Sequence, residues 1–284
     1  MTDDDAPLPP THPRERRAHD RRGAASAAGV GRHRFLGTYF DAFTADELLD
    51  WLHDNVRAKN KVVLAGHNVN SLTLLQRNER FRQFYARADA IYVDGMAVVG
   101  IARLLGEPLA RPHRLGVLDW IDPLAARAER FGWRIVHIGG TDELNQLAAA
   151  KLHASYPGLD LVGLNGFFDP SAGSPESKLV IERVEELQPD VVLVGMGMPR
   201  QEVWLVDWLD SLPPAVYITV GGIFGYLAED RRTAPRWVGQ WGLEWLYRVF
   251  TEPRRLWRRY LVEPFALVPA LGRAIYLARF RRRR

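Results

Sequence analysis

Short apolar runs alternate with longer amphipathic stretches along most of the chain. The runs lack the period-two alternation of a strand with one exposed face, and helix-like stretches follow them. They comprise residues 61–66, 88–95, 133–140, 159–166, 190–197 and 215–222. A repeated order of buried strand and helix is typical of βαβ units. The pattern therefore predicts an α/β fold, a Rossmann-like open and mostly parallel sheet with helices on both faces.

The start of this region has its own pattern. Residues 34–43 are rich in aromatic and apolar side chains and are predicted to form an opening strand. Thr44 and Glu47 then have the spacing of a capping box, in which the two residues satisfy each other's backbone amides. Leu48 and Leu52 follow on one face of a helix. We therefore expect the first helix to begin just after Thr44.

Three segments of different composition divide the chain. Residues 1–33 are rich in charge and proline and contain no apolar region, so they are interpreted as a disordered leader. Residues 34–230 hold the predicted Rossmann-like catalytic domain, and residues 231–284 form a basic helical appendage. The absence of cysteine excludes a disulfide framework, which fits a cytoplasmic protein. Because no run of about 18 apolar residues is present, no membrane-spanning helix is expected.

The appendage differs sharply in charge from the rest of the chain. It carries 14 arginines against three glutamates, whereas the whole chain has a formal net charge of only +4. An excess of this size indicates an anionic partner. Tryptophan and tyrosine next to arginine are typical of a helix on an anionic bilayer surface, and they also suit single-stranded nucleic acid.

Polar residues and glycines follow several of the predicted strands. Because ligands of open α/β sheets bind at the carboxyl ends of the strands, these residues are candidates for a binding site. They are Asn68, Asp94, Gly139, Gly140, Gly195, Gly197 and Gly222, with Gln201 and Glu202 shortly after Gly197. Glycines at such turns let backbone amides approach phosphate oxygens closely. A strand-end carboxylate such as Asp94 can take a proton from a substrate hydroxyl, as a general base does.

Each of these signals also has a structural interpretation. Asp94 lies in an Asp-Gly pair, which is a common turn dipeptide, and paired glycines often serve packing. Glu202 lies in a first helical turn, where a carboxylate complements the helix dipole. His67, His113 and His137 show no paired spacing, so they are interpreted as mainly structural.

Two features bear on cofactors. The segment GMGMPRQ lacks the third glycine of a dinucleotide-binding motif. This weakens the hypothesis of a nucleotide-dependent oxidoreductase, which stays an alternative. The only Asp-x-Asp pair, Asp3 and Asp5, lies in the leader, so no metal-holding carboxylate pair is visible. We expect neither a metal nor a cofactor.

Three blocks of sequence resemble the signature blocks of the WecG/TagA/CpsF glycosyltransferases (glycosyltransferase family 26). They cover residues 87–120, 189–204 and 234–260. The resemblance implies transfer of a sugar, often N-acetylmannosamine or its uronic acid, from a UDP-sugar donor to a sugar linked to a polyprenyl diphosphate. It also implies work at the cytoplasmic membrane face, during assembly of teichoic acid, enterobacterial common antigen or exopolysaccharide.

The resemblance assigns the catalytic positions one by one. It makes Asp94 the general base and adds Asn68, Arg114 and Gln201 to the catalytic set. Gly66 departs from the family pattern, which has a threonine there. A hydroxyl contact to the substrate is therefore not expected from residue 66.

The third block carries the family's arginines, which fall on Arg248, Arg255 and Arg258. The forked donors of a guanidinium match two diphosphate oxygens at once, so we expect these three residues to bind the donor diphosphate. Gly225 and Thr233 depart from the family pattern in the segment just before this block.

The sequence as a whole favours an inverting, metal-independent glycosyltransferase, peripheral on the inner face of the cell membrane. Its expected partners are a UDP-sugar, a polyprenyl-diphosphate-linked acceptor and an anionic membrane surface, with Arg273, Arg279 and the terminal arginines at that surface. A nucleotide-dependent oxidoreductase and a basic nucleic-acid-binding protein are the alternatives. The second leaves the strand-end residues unexplained, so no nucleic acid partner is expected. Apolar residues of the appendage suit a second copy of the chain as well as a bilayer, which leaves self-association open.

Overall fold

A computed structural model describes residues 30–228, 244–251, 254, 257 and 262–281 of the chain. Its strands are β1 Arg32–Phe35, β2 Thr38–Asp41, β3 Val62–His67, β4 Ala90–Val93, β5 Arg134–Gly139, β6 Asp160–Leu164, β7 Val191–Gly195 and β8 Val216–Thr219. Its helices are α1 Ala45–Arg57, α2 Val69–Arg77, α3 Glu79–Arg87, α4 Met96–Leu104, α5 Val117–Phe131, α6 Asp142–Ser155, α7 Pro175–Leu187, α8 Arg200–Trp208, α9 Ile223–Leu227, α10 Glu244–Thr251 and α11 Val268–Arg281. Short 3₁₀ helices lie at Arg111–His113, Leu209–Ser211 and Glu263–Leu267.

Strands β3 to β8 form one parallel sheet in the order β4-β3-β8-β7-β5-β6. The chain leaves β5 toward β6 at one edge, whereas it leaves β7 toward β8 on the other side. The direction of winding thus reverses between β5 and β7, which makes the gap above these strands a topological switch point. The predicted α/β fold with an open, Rossmann-like parallel sheet is confirmed.

Helices cover both faces of this sheet. One core lies between the sheet and α2, α3, α4, α7 and α8, with Phe84 and Trp204 fully enclosed. The other lies between the opposite face and α1, α5 and α6, with Leu52 and Trp120 at its centre. Because both faces are covered, a strand such as β3 is buried along its whole length. This double burial is the reason that the apolar runs show no alternation.

The opening strand predicted over residues 34–43 is instead two strands. β1 and β2 pair antiparallel with Arg32 opposite Asp41, and the chain reverses at Leu36 and Gly37, whose φ angles are 48° and 82°. The Asp41 carboxylate accepts hydrogen bonds from the Arg32 guanidinium at 2.6 and 3.0 Å and from a backbone amide of β4 at 2.9 Å. Because Leu36 is apolar, the sequence pattern does not indicate a turn at this position. β1 also begins before the predicted boundary at residue 34.

Helix α1 begins as its sequence predicts. The Thr44 hydroxyl accepts a hydrogen bond from the Glu47 amide, and the Glu47 carboxylate accepts one from the Thr44 amide at 2.8 Å. These bonds hold the pKa of Glu47 below its usual value. Leu48 and Leu52 on the inner face are fully buried. The capping box is therefore confirmed.

The predicted appendage is described in part, through α10, the 3₁₀ helix Glu263–Leu267 and α11. The 3₁₀ helix packs against α2, and Leu267 joins the core under that helix with 2% of its surface exposed. Phe265, Val268 and Tyr276 are exposed in contrast. Across the described residues, every helix is too short or too polar to span a bilayer.

Candidate active site

A cavity of about 400 Å³ opens above the carboxyl ends of the parallel strands. The segments that follow β3, β4, β5, β7 and β8 all contribute to its walls, and this is where an open α/β sheet is expected to bind a ligand. Predicted site residues in the walls are Asn68, Asp94, Arg114, Gln201, Gly140, Gly195, Gly197 and Gly222. Gly139 is the last residue of β5, directly beside this wall, and Glu202 is fully buried next to Gln201.

Asp94 follows β4 at one end of the cavity. Its backbone amide donates to the carbonyl of His67 at 2.7 Å, and its Oδ2 accepts a hydrogen bond from Asn68 Nδ2 at 3.4 Å. Asn68 is the N-cap of α2, and its Oδ1 accepts from the Ser71 amide at 3.0 Å. This cap sets the orientation of the Asn68 amide, which directs Nδ2 toward the carboxylate. Asn68 and the end of β4 together present a half-buried carboxylate to the cavity.

Arg114 forms the wall beside Asp94. The backbone just after Arg114 donates to the carbonyl of Val93 at 2.8 Å, so this segment runs next to β4 like a short added strand. Arg114 Nη2 lies 3.0 Å from Asp119 Oδ2, which also accepts from the Gly116 amide at 2.9 Å. The wall therefore combines two carboxylates with a guanidinium. Sequence reasoning identified Asp94 as the strand-end carboxylate and left Asp119 without a role.

The Gln201 side chain connects the loops that follow β7 and β8. Its side chain is fully buried, and its Oε1 accepts hydrogen bonds from the amides of Gly197 at 3.0 Å and Gly221 at 3.2 Å. Its Nε2 donates to the Glu202 carboxylate at 2.7 Å. Gln201 thus joins the loop after β7 to the loop after β8. Its catalytic role stays a prediction, and the described contacts are those of a positioning residue.

The glycines at the switch point are required by close packing. Gly139 and Gly195 lie opposite each other in β5 and β7. A Cβ at Gly195 would stand 2.3 Å from His137 Nε2 and 2.8 Å from the carbonyl oxygen of Gly221. Gly197, just beyond, has a φ of 82°, which L-residues with a side chain rarely adopt. Backbone groups therefore form the surface of the cavity here. The phosphate-binding role expected of these glycines stays a prediction.

Gly66 and Tyr92 are neighbours across β3 and β4. A Cβ at Gly66 would stand 2.6 Å from Cζ of Tyr92 and 2.8 Å from its hydroxyl oxygen, so the phenol occupies the space over the glycine. Tyr92 lines the cavity, and burial together with the charge of Asp94 holds its pKa well above the usual value. A neutral hydroxyl therefore stands near Asp94. The ring also gives a packing reason for glycine at position 66.

Buried histidines lie beneath both ends of the cavity. His67 stacks on Tyr85 with ring centroids 4.4 Å apart, and both of its nitrogens have hydroxyl partners, Thr38 at 3.1 Å and Ser71 at 3.1 Å. His137 lines the cavity and is 1% exposed. Burial lowers the pKa of His67 to about 3 and that of His137 to about 4. Both rings are therefore neutral at physiological pH.

Arg200 adds a second guanidinium to the cavity wall. It is the first residue of α8, donates a hydrogen bond to the carbonyl of Phe168 and lies over the Phe168 ring at 5.7 Å. Phe167 beside it is 71% exposed and also lines the cavity. Arg114 and Arg200 thus place positive charge in two walls of the same cavity.

Several predicted residues lie beyond what the structure describes. The backbone of Arg248 belongs to α10 and that of Arg279 to α11, but their side chains are outside the described part. Arg255, Arg258 and Thr233 also lie outside the described residues. Gly225 is buried in α9 and lines the cavity. Among the described residues, no three His, Asp or Glu side chains are grouped as metal ligands.

Tyr92, His137 and Asp119 line the cavity without having been assigned to it from the sequence. Tyr92 has a readable signal, since it precedes Asp94 by two positions and therefore shares its face of the strand. His137 has another, because a polar residue interrupts an apolar strand. Tyr92 lies against Gly66 of the neighbouring strand, and His137 contacts Asn145 and Phe224 on two helices. Their roles therefore depend on tertiary contacts that one sequence does not reveal.

Comparison with known proteins identifies the family of the chain. Residues 33–283 match the glycosyl transferase WecG/TagA/CpsF family. An N-acetylglucosaminyldiphosphoundecaprenol N-acetyl-beta-D-mannosaminyltransferase of Staphylococcus aureus (strain MRSA252) is 25% identical over 225 residues, which are 78% of this chain and 86% of the relative. A protein of the same name from Bacillus spizizenii (strain ATCC 23059 / NRRL B-14472 / W23) is 28% identical over 188 residues, 66% of this chain and 70% of the relative. The chain therefore belongs to the WecG/TagA/CpsF family of glycosyltransferases.

Proposed function

We propose that the chain transfers an N-acetylmannosamine-type sugar, or another hexose, from a UDP-sugar to a sugar linked to a polyprenyl diphosphate. The two relatives support an acceptor of this kind, since both names contain N-acetylglucosaminyldiphosphoundecaprenol. The product would serve cell-surface polysaccharide or teichoic acid synthesis. The observation that carries the proposal is the Asp94 carboxylate, held at the cavity wall by Asn68.

In the proposed reaction, the acceptor hydroxyl oxygen attacks the anomeric carbon of the donor sugar while the bond from that carbon to the diphosphate breaks. Asp94 takes the hydroxyl proton, and the bonding electrons leave on UDP. Attack on the side opposite the leaving group inverts the anomeric configuration. Only one carboxylate has to act in such a displacement, which fits the single strand-end Asp94.

Positive groups near the cavity would stabilise the departing diphosphate. Arg114 and Arg200 line the walls, and guanidinium groups match pairs of phosphate oxygens. Arg248, Arg255 and Arg258 are proposed to add to this charge from the appendage. With these guanidinium groups around the departing diphosphate, the proposed transfer needs no metal ion.

Asp94→Asn tests the catalytic assignment. Asparagine has nearly the same shape, and its Oδ1 can still accept the hydrogen bond from Asn68, so the fold should persist. Loss of a general base should lower turnover by about 10²-fold or more. Transfer from UDP-N-acetylmannosamine to a short-chain polyprenyl-diphosphate-linked N-acetylglucosamine is measured by mass spectrometry, with the melting temperature as a fold check.

Asp50→Asn is the matched control, because Asp50 is an exposed carboxylate that pairs with Arg127 on the surface. It should leave turnover unchanged. Near-normal transfer by Asp94→Asn would rule out the base assignment. Thermal shift with UDP and NAD tests the enzyme class itself, because only a true ligand raises the melting temperature. Stabilisation by NAD alone would favour the oxidoreductase alternative.

A peripheral position on the inner membrane face is part of the proposal. Exposed Phe265, Val268 and Tyr276 lie on the same C-terminal segment as the exposed Arg273, a combination that suits an anionic bilayer surface. Co-sedimentation with anionic and neutral vesicles measures this binding. Equal binding to both vesicle types would contradict an electrostatic contribution, and a concentration-dependent dimer without vesicle binding would favour self-association.

A further inference from the structure

His137 occupies the space under the switch point. Its ring is on β5, and its Nε2 lies where side chains of two facing glycines would otherwise stand, 2.8 Å from a Cβ built at Gly139 and 2.3 Å from one built at Gly195. Phe224 of α9 stacks flat on the imidazole, with centroids 3.5 Å apart and planes 1° from parallel. The orientation of the ring is therefore set from two sides.

The hydrogen bonds of Asn145 determine which nitrogen of His137 carries the proton. Asn145 Nδ2 donates to the carbonyls of Gly139 at 3.0 Å and Leu164 at 3.2 Å, so its Oδ1 faces His137 as an acceptor. His137 Nδ1 lies 2.7 Å from that oxygen and must donate to it. The ring is neutral, because burial holds its pKa near 4. Nε2 therefore presents a lone pair.

That lone pair has no hydrogen-bond partner among the described residues. The nitrogen is buried, and native proteins rarely leave buried polar atoms unpaired without a functional reason. A neutral imidazole lone pair repels phosphate and carbonyl oxygens, and it accepts a hydrogen bond from a hydroxyl or an N–H. The group that completes it must therefore be a hydrogen-bond donor.

The position of His137 relative to Asp94 identifies the end of the ligand it meets. β5 is separated from β4 by four strand spacings, which at about 4.8 Å each amount to about 19 Å. In the proposed reaction the sugar must lie at Asp94. The opposite end of an extended sugar nucleotide, its nucleoside, then falls above β5 and β7.

We propose that His137 Nε2 accepts a hydrogen bond from the nucleoside of the bound sugar nucleotide, from either a ribose hydroxyl or the imide N–H of the base. This inference rests on the proposed function. It makes His137 a specificity residue for a nucleoside with a donor at that position. Gly139 and Gly195 then serve to let the imidazole reach the cavity floor.

Isothermal titration of UDP, 2′-deoxy-UDP, 3′-deoxy-UDP and N3-methyl-UDP into the wild-type chain and His137→Leu tests the proposal. We expect His137→Leu to bind UDP about tenfold more weakly, the loss typical of one buried hydrogen bond. Wild type should discriminate against the analogue that lacks the bonded donor, and His137→Leu should not. If the wild type binds N3-methyl-UDP more weakly than UDP and His137→Leu does not, the donor is the imide N–H of the base. If the same holds for a deoxy analogue, the donor is the ribose hydroxyl that the analogue lacks.

His53→Leu is the matched control, because His53 also has a buried nitrogen without a partner among the described residues but packs against Phe131 and Trp133, away from the cavity. It should bind every ligand as wild type does. If His137→Leu fails to fold, His137→Phe replaces it. Unchanged UDP affinity, or equal discrimination by wild type and variant for all three analogues, overturns the inference alone. Failure of the wild-type chain to bind UDP overturns the proposed donor as well.

Discussion

The two ends of the cavity are built in different ways. The end proposed to be reactive, called the reactive end, is formed by Asn68, Asp94, Arg114 and Asp119. It consists of polar side chains at the ends of β3 and β4 and at the start of α5. The switch-point end, formed by Gly139, Gly195, Gly197 and His137, consists of bare backbone over a buried ring. The proposed proton transfer at the first end needs particular polar side chains. The shape of the second end needs glycines, because side chains at these positions would collide with His137 or with neighbouring backbone.

This difference predicts where function and stability can be separated. Substitutions at the reactive end should change turnover and leave the fold intact, because the side chains there are half-buried or exposed. Substitutions at the switch-point end should reduce binding and stability together, because there is no room for additional atoms.

Acid should destabilise the protein through the histidines buried under both ends. His137 has its pKa lowered from 6.5 to about 4, so the unfolded chain binds a proton that the folded chain does not, and the stabilisation present above pH 6.5 is lost as the pH falls toward 4. The shift is equivalent to about 3 kcal/mol at most. His67, with a pKa of about 3, should act in the same direction. Urea denaturation between pH 7 and pH 4 measures the loss.

His137→Leu separates the two ends in that experiment. Removing the switch-point histidine should reduce the pH dependence of unfolding. His67 at the reactive end and carboxylates such as Glu47, whose pKa is lowered, contribute to the slope that remains. An unchanged slope would show that His137 is not neutral and buried in the folded protein.

Gly195→Ala should destabilise the fold by about 3 kcal/mol, because the added Cβ would collide with His137 Nε2 and with the Gly221 carbonyl. UDP affinity should fall with it. Gly100→Ala is the control, since Gly100 lies in α4 with nothing near the added carbon, and a helical alanine is slightly favourable. Similar urea midpoints for the two variants would contradict the close packing of the switch point.

Gly66→Ala tests whether one position at the reactive end also affects stability, because Gly66 is a glycine in close contact with a neighbouring ring. The added carbon would meet the ring of Tyr92, and we expect a loss of about 2 kcal/mol in unfolding free energy. Tyr92→Val should leave space for it, so the double variant should be more stable than the sum of the single effects predicts. Strict additivity in this double-mutant cycle would show that the two residues do not compete for space.

Asn68→Ala should have the smallest effect of the series on stability, about 1 kcal/mol from loss of the α2 cap. Turnover should fall about tenfold, because Asp94 loses the amide that orients it. Asn78→Ala is a suitable control, since Asn78 caps α3 through the same kind of bond to Phe81 and does not line the cavity. An equal loss of turnover in both variants would leave Asn68 with a capping role only.

The fold could be predicted from the sequence because burial on both faces leaves a local signal. The buried strands are largely apolar runs, and polar residues that follow them, such as Asn68 and Asp94, mark the carboxyl edge where ligands of open α/β sheets are expected. Helix starts were equally local, as Thr44 and Glu47 show. The turn at Leu36 and Gly37 was hidden because its first residue is apolar.

The rest of the site depends on contacts between distant strands. Tyr92 fills the space over Gly66 only because the register places them side by side, and His137 reaches Gly195 across two strands that are far apart in the chain. Gln201 gave no sign of bridging the loops at Gly197 and Gly221. Such relations arise from the strand order, which apolar runs alone do not determine.

The burial of Leu267 against α2 turns the chain after the sheet into a loop closed at both ends. Helix α10, with Arg248, lies in that loop between α9 and the 3₁₀ helix. If the appendage arginines bind the donor diphosphate as proposed, attachment of the chain on both sides gives them an effective concentration of roughly millimolar order at the cavity, since the entropy of closure grows only slowly with loop length. Their local concentration would then not depend on the concentration of the protein.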